Sequence, residues 1–173
     1  MDFWDVIKER RSVRNFASED VPADTVERIL EAGISAPSAG NCQPWHFIVV
    51  RRPEVKRLLA EAAYGQHFVA EAPVVIVVCA EPARSGARYG RRGTELYCLQ
   101  DTAAAVENIL LAAVSLGLGA CWVGAFDEGA AAGAVNLSEG MRPVSIIPIG
   151  RPAREISRRP GRRPLREVSR WID

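Results

Sequence analysis

Residues Ser35 to Val50 read Ser-Ala-Pro-Ser-Ala-Gly-Asn-Cys-Gln-Pro-Trp-His-Phe-Ile-Val-Val, and the two halves of this stretch ask for different structures. Ser, Pro, Gly and Asn crowd Ser35 to Asn41. A fixed φ, a free φ and side chains that bond their own backbone each oppose regular structure there. Trp45 to Val50 is aromatic and β-branched and reads as a buried strand. A polar loop with its ends fixed by a rigid scaffold is a place to hold a ligand. It is equally the form of an ordinary helix-to-strand connection.

Upstream, Arg10-Arg11-Ser12-Val13-Arg14 puts three guanidinium groups and a hydroxyl within five positions. If this piece is extended, Arg10, Ser12 and Arg14 share a side. Such a set suits phosphate, because Arg offers planar bidentate donors and Ser a short one. A solvated helix end, where basic residues complement the dipole, has the same composition. Before it, Asp2 caps a helix to about Arg10 with Phe3, Val6 and Ile7 on one face. Pro22 opens a second helix to about Ala36.

Downstream, Pro53 to Ala63 has helical spacing, and Val74 to Ala80 is an uninterrupted apolar run that fits a central strand covered on both faces. Glu81 to Thr94 is polar, with three glycines and four arginines, and reads as a mobile, substrate-facing surface segment. Glu95 to Leu116 is the longest helical pattern, apolar nearly all round, and therefore buried. A short strand over Ala120–Ala125, a helix near Glu128–Val135 and a strand at Val144–Ile149 complete the pattern. Strands and helices without strict alternation predict an α+β single domain around one mixed sheet, with a long buried central helix.

The charge is uneven. Residues 1–150 carry 14 basic and 18 acidic side chains, whereas residues 151–173 carry 8 arginines and 3 acids. This divides the chain into a domain over residues 1–153 and an Arg-rich arm over 154–173. The arm suits either a solvated segment folded over a dimer or a nucleic-acid contact, the latter being the poorer fit. No apolar run approaches the ~20 residues of a membrane span, and acids stand where a signal peptide is basic, so a cytoplasmic protein is expected. Cys42, Cys79, Cys98 and Cys121 are widely spaced and read as free thiols. No metal site is expected from His46 and His67, the only histidines. The run Gly117-Leu-Gly-Ala-Cys-Trp fails as a dinucleotide fingerprint because Trp122 replaces the third glycine. Chemistry, if present, belongs to a cofactor, and no side chain is expected to be catalytic by itself.

Four segments in order resemble the nitroreductase family of FMN-dependent oxidoreductases in its short form. They are Arg10–Phe16 (RRSVRNF), Ala36–Trp45 (APSAGNCQPW), Gly119–Phe126 (GACWVGAF) and Gly150-Arg151-Pro152. The resemblance spans Met1 to about Ala153. It implies an intertwined homodimer with FMN at the subunit interface and NADH or NADPH as donor. Arg10, Ser12 and Arg14 would hold FMN, with Arg11 at a position that tolerates other residues. Pro37, Ser38 and Ala39 would come from the other subunit, and Asn41 and Gln43 match polar positions of that loop. Gly124 and Ala125 would offer backbone N–H to flavin N5, and Gly150 and Arg151 would close over the phosphate. The implied reaction passes hydride to a small-molecule acceptor, a nitroaromatic or quinone, by a ping-pong scheme. A reductive dehalogenase or flavin-consuming activity is the alternative, weakened because Glu81 to Tyr97 holds Glu and Tyr but no Lys. A non-catalytic flavin-binding protein is the alternative of another class.

Overall fold

The computed structural model describes residues 1–154 and 161–172. In chain order the elements are α1 (Phe3–Glu9), α2 (Ala23–Ile34), β1 (Trp45–Val50), α3 (Pro53–Ala62), α4 (Phe68–Glu71) and β2 (Val74–Ala80). They continue with α5 (Pro82–Arg92), α6 (Cys98–Ser115), β3 (Gly119–Ala120), α7 (Glu128–Ala134), β4 (Arg142–Gly150) and α8 (Leu165–Val168).

The apolar run Val74–Ala80 is the centre of the molecule, buried at every position. Side chains alternate across a strand, so its residues feed two cores. Val74, Ile76 and Val78 pack with Ile29 of α2 and Val106, Ile109 and Leu110 of α6. Val75, Val77 and Cys79 pack with Leu59 of α3, Val69 of α4 and Ala131 of α7. Helices therefore cover both faces, a three-layer arrangement that explains why β2 tolerates no polar residue.

The sheet order is β1-β2-β4-β3, and all three ladders are antiparallel. Among the described residues, the parallel pairing expected of a mixed sheet occurs only at a Ser12–Ala120 bridge. The connection through α3 and α4 explains this: it leaves from Val50 and returns beside it, since Val50 pairs with Val75. β1 is an edge strand, buried at Trp45 and Val50 but exposed or half-exposed between them, rather than the buried strand its composition suggests.

Other expectations change as well. The segment 81–94 is not an irregular loop. It forms α5, kinked at Gly90, followed by a π-helical turn at Gly93–Tyr97. Its polarity reflects exposure, and Pro82 sits where a helix start accepts it. The long helix α6 buries one face and leaves Leu99, Ala103, Ala104 and Leu111 half-exposed. In α1 only Val6 is buried; Phe3, Trp4 and Ile7 face solvent. The strand expected at 120–125 shortens to β3 plus an isolated Val123–Ile146 bridge, with Cys121 and Trp122 between them outside the named strand. Of the Arg-rich arm, residues 155–160 and 173 lie outside the described residues, and 161–172 is exposed throughout.

Candidate functional site

The chain leaves α1 at Arg10 with extended geometry, φ −57° and ψ 123°. It then lies alongside β3, with the Val13 N–H donating to the Ala120 carbonyl at 2.9 Å. Farther on, the Ala17 N–H donates to the Arg151 carbonyl at 2.9 Å, and the Ala153 N–H to the Asn15 carbonyl at 3.1 Å. The arginine segment is thus stitched between Ala120 and Arg151. Close approach requires glycine twice: a Cβ on Gly119 would overlap the Val13 side chain, and one on Gly150 would lie 2.6 Å from Pro73 Cδ.

Alternation buries Val13 and leaves Ser12 and Arg14 exposed, with Arg10 half-buried, as an extended reading of the sequence requires. Arg10, Ser12 and Arg14 all act on the Cys121 thiol, which marks a common position beside β3. Burial nevertheless dominates and pushes that thiol up, so the buried cysteine stays protonated and unreactive. Among the described residues Arg14 makes no ion pair; its guanidinium stands 5.9 Å from the Phe68 ring centroid. Arg10 Nε is 3.7 Å from Glu107 of α6, and Arg151 Nε is 2.8 Å from Glu19. Arg11 is turned away, its Nη2 2.7 Å from Glu9. The fold therefore gathers Arg10, Ser12, Arg14, Gly150 and Arg151 at one sheet edge.

The Ser35–Gln43 loop is built at the opposite edge, immediately before β1. Gly40, Asn41 and Gln43 all have left-handed φ, 55°, 56° and 49°. For Gln43 that costs about 1–2 kcal/mol, so the surroundings must hold it. Ser38 Oγ accepts the Gln43 N–H at 2.9 Å, and Gln43 Nε2 donates to Asn41 Oδ1 at 3.2 Å. Asp101 of α6 accepts the Ala39 N–H at 3.1 Å. From α5, Arg88 donates to the Gly40 carbonyl at 2.9 Å and Arg84 to the Cys42 carbonyl at 3.1 Å. Pro37, Asn41 and Gln43 are exposed; Ser38 and Ala39 are half-buried. β1 and β3 are three strand positions apart, roughly 14 Å. Among the described residues no hydrogen bond of the loop reaches the arginine segment. One chain does not bring the two halves together.

Gly124 and Ala125 lie just beyond the Val123–Ile146 bridge, exposed. Gly124 faces a groove of about 310 Å³ shared with Leu99, Thr102, Trp122 and Phe126. The Glu128–Arg142 pair also lines it, at 2.7 and 2.8 Å in a two-point contact that holds the Glu128 carboxyl below its usual range. Ala125 offers its carbonyl to Gln66 Nε2 at 3.2 Å. His46 and His67 are exposed, and no group of three potential ligands among the described residues could hold a metal.

Asp101 was not singled out from the sequence. The available signal was a carboxylate near the start of a long, largely apolar helical run. It is buried, with Oδ2 unpartnered, and burial pushes its carboxyl up against the opposing pull of the Ala39 N–H. The folded protein then keeps this proton to higher pH than the unfolded chain. The stabilising effect is complete below the ordinary value of 3.8 and is lost as pH rises through the raised one. Thermal melts across pH should show this slope flattened in Asp101→Asn, which still accepts the Ala39 N–H. Asp101→Leu should melt lower at every pH, costing about 1 kcal/mol for the orphaned N–H.

A model of the nitroreductase family matches residues 7–67 and 61–151 of the chain. A Methanothermobacter thermautotrophicus protein, provisionally named an NADH dehydrogenase/NAD(P)H nitroreductase, is 37% identical over 163 residues, covering 92% of this chain and 82% of its own. The Bacillus subtilis FMN reductase [NAD(P)H] is 32% identical over 83% of this chain and 52% of its own length. Among solved structures, a nitroreductase family protein from Clostridium novyi superposes with a TM-score of 0.80 at 35% identity, over 88% of this chain and 86% of that one.

Proposed function

The chain belongs to the nitroreductase family, and from that premise we propose that it is an FMN-dependent NAD(P)H oxidoreductase whose sites are each built by two copies of the chain. The observation that carries this reading is the separation just described. Five of the candidate residues gather at one sheet edge, while the strained loop stands at the other with its own rigid support. A two-fold partner can place its loop against the arginine edge, because an isologous interface presents every surface twice. The exposed Phe3, Trp4 and Ile7 and the half-exposed apolar residues of α6 supply surface for such a dimer.

The residues suit FMN by their chemistry. The cofactor carries a phosphate and a pyrimidine edge that gains negative charge on reduction. Arg14, without a carboxylate partner among the described residues, and Arg10, only loosely paired, are cations available to such groups. In this reading Arg10, Ser12 and Arg14 hold phosphate and pyrimidine edge, and Gly150 and Arg151 close over the phosphate. Pro37, Ser38 and Ala39 of the second copy pack on the ring, with Asn41 and Gln43 as polar neighbours. The backbone N–H groups near Gly124 and Ala125 orient the reactive edge, and the absence of a Cβ at Gly124 leaves that approach open. Bound FMN supplies the hydride chemistry between NAD(P)H and an electron-poor acceptor such as a nitroaromatic or quinone. The chain's own contribution is binding, orientation and charge. The domain over residues 1–153 carries all of these groups.

Donor and acceptor then take turns at one mouth. Initial rates against NAD(P)H at several acceptor concentrations should give parallel double-reciprocal lines. His46→Ala and His67→Ala should turn over normally when loaded with FMN. Intersecting lines would reject the shared mouth, and a folded, flavin-loaded histidine variant without turnover would reject cofactor-borne chemistry.

A further inference from the structure

Three of the four arginines of α5 carry charge that no carboxylate among the described residues answers. Arg91 pairs with Glu95 at 2.8 Å. Arg84, Arg88 and Arg92 are instead held by neutral acceptors: the Cys42 carbonyl, the Gly40 carbonyl and Tyr97 Oη, at 3.1, 2.9 and 2.8 Å. The Arg88 guanidinium lies 5.5 Å from the Tyr89 ring centroid, and that of Arg92 lies 5.2 Å from the Tyr97 ring centroid. The two rings meet edge to face, 5.1 Å apart at 84°.

The kink at Gly90 makes this possible by turning the chain into the π-helical segment that carries Tyr97. Arg88 and Arg92 thereby flank one aromatic pair. An ordinary surface arginine samples many rotamers and loses that freedom on binding. Here a ring and a hydrogen bond fix each guanidinium beforehand, which lowers the ordering cost. A guanidinium has five N–H donors, and one of each is used in these bonds, so most of each fork remains open to an anion. Arg84 and Arg88 also touch the loop of Gly40 and Cys42. If that loop packs on the flavin, α5 stands at the rim where the nicotinamide donor enters.

We propose that the Arg88–Tyr89–Tyr97–Arg92 surface, with Arg84 beside it, is a subsite for the 2′-phosphate of the donor, and that it thereby selects NADPH over NADH. The inference rests on the FMN-dependent reading above. NADPH and NADH differ at the 2′ position, an anion against a hydroxyl, and arginine forks match phosphate geometry with two parallel bonds. The paired Arg91 contributes little and serves as the internal comparison.

The experiment measures kcat/KM for NADPH and for NADH at fixed acceptor, with the FMN content of every preparation determined by absorbance. Wild type should prefer NADPH by about 10-fold or more. Arg92→Gln should cut kcat/KM for NADPH about 10-fold, chiefly through KM, and leave NADH within about 3-fold. Arg88→Gln should act similarly; Arg92→Gln is the cleaner variant because Arg88 also holds the Gly40 carbonyl. Arg91→Gln should leave the NADPH/NADH ratio unchanged. Wild type indifferent between the donors, or an unchanged ratio in both Arg88→Gln and Arg92→Gln, overturns the subsite while the oxidoreductase reading stands. An FMN-loaded wild type that oxidises neither donor overturns that reading and this inference with it.

Discussion

Arg14→Ala is expected to lower FMN affinity about 10- to 150-fold, the equivalent of one charge-assisted contact of about 1.5–3 kcal/mol. The Val13 N–H bond to Ala120 and the burial of Val13 fix the segment, so alternation throws Arg14 outward. Among the described residues its guanidinium meets no carboxylate, and its neighbours are the Cys121 thiol and the Phe68 ring. With no ion pair among the described residues to lose, its removal should lower the melting temperature only slightly. Arg11→Ala is the contrast. Its side chain is already held by Glu9, and its removal should alter affinity by less than about 5-fold. Fluorescence titration of the apoproteins measures both. An Arg14→Ala variant with wild-type affinity would remove this residue from the site.

A second expected result is restoration of activity by mixing two damaged chains. Arg14→Ala injures the arginine edge, and Pro37→Trp injures an exposed position of the loop at the other edge. If each site takes one half from each copy, both homodimers carry two damaged sites. A mixed dimer instead carries one site with both injuries and one with neither. Co-expression should therefore recover up to about a quarter of wild-type turnover, since half the dimers are mixed and each has one intact site of two. Purified through two different tags, the mixed dimer should hold one tightly bound FMN per pair of chains. Failure of the mixed dimer to recover either turnover or flavin would place both halves of the site within one chain.

The pH dependence of the groove beside Gly124 separates the Glu128–Arg142 pair from Asp101. Hydrogen bonding to Arg142 lowers the Glu128 carboxyl in the folded state. Its stabilising effect is present above the ordinary value of 4.5 and is lost as pH falls through the lowered one. The Asp101 slope has the opposite sign. The paired variants Glu128→Gln and Asp101→Asn resolve the two slopes.

Much of this molecule follows from local sequence. Val74–Ala80 has no polar residue because both faces are covered, and a run with that composition admits few other places. Asp2 caps α1 through the Asp5 N–H at 2.8 Å, as its residue type requires. The Ser-Pro-Gly-Asn loop, the alternation of Arg10, Ser12 and Arg14, and the isolated cysteines are likewise short-range facts, set by φ preferences, side-chain period and spacing. The family resemblance rests on such segments and their order.

What the sequence left open depends on contacts between residues far apart in the chain. The polar segment 81–97 is helical because α5 packs on the loop before β1 and folds back on itself beyond Gly90, which composition does not announce. The antiparallel pairing of β1 with β2 follows from where the α3–α4 connection returns, beside Val50. Asp101 became visible only when α6 brought it to the Ala39 N–H, 62 positions away. The sequence alone determined which residues have the chemistry of an anion site and a ligand loop. The tertiary structure decided that they lie at opposite edges of one sheet, because strand order is fixed by long-range pairing and buried area rather than by neighbours in the chain.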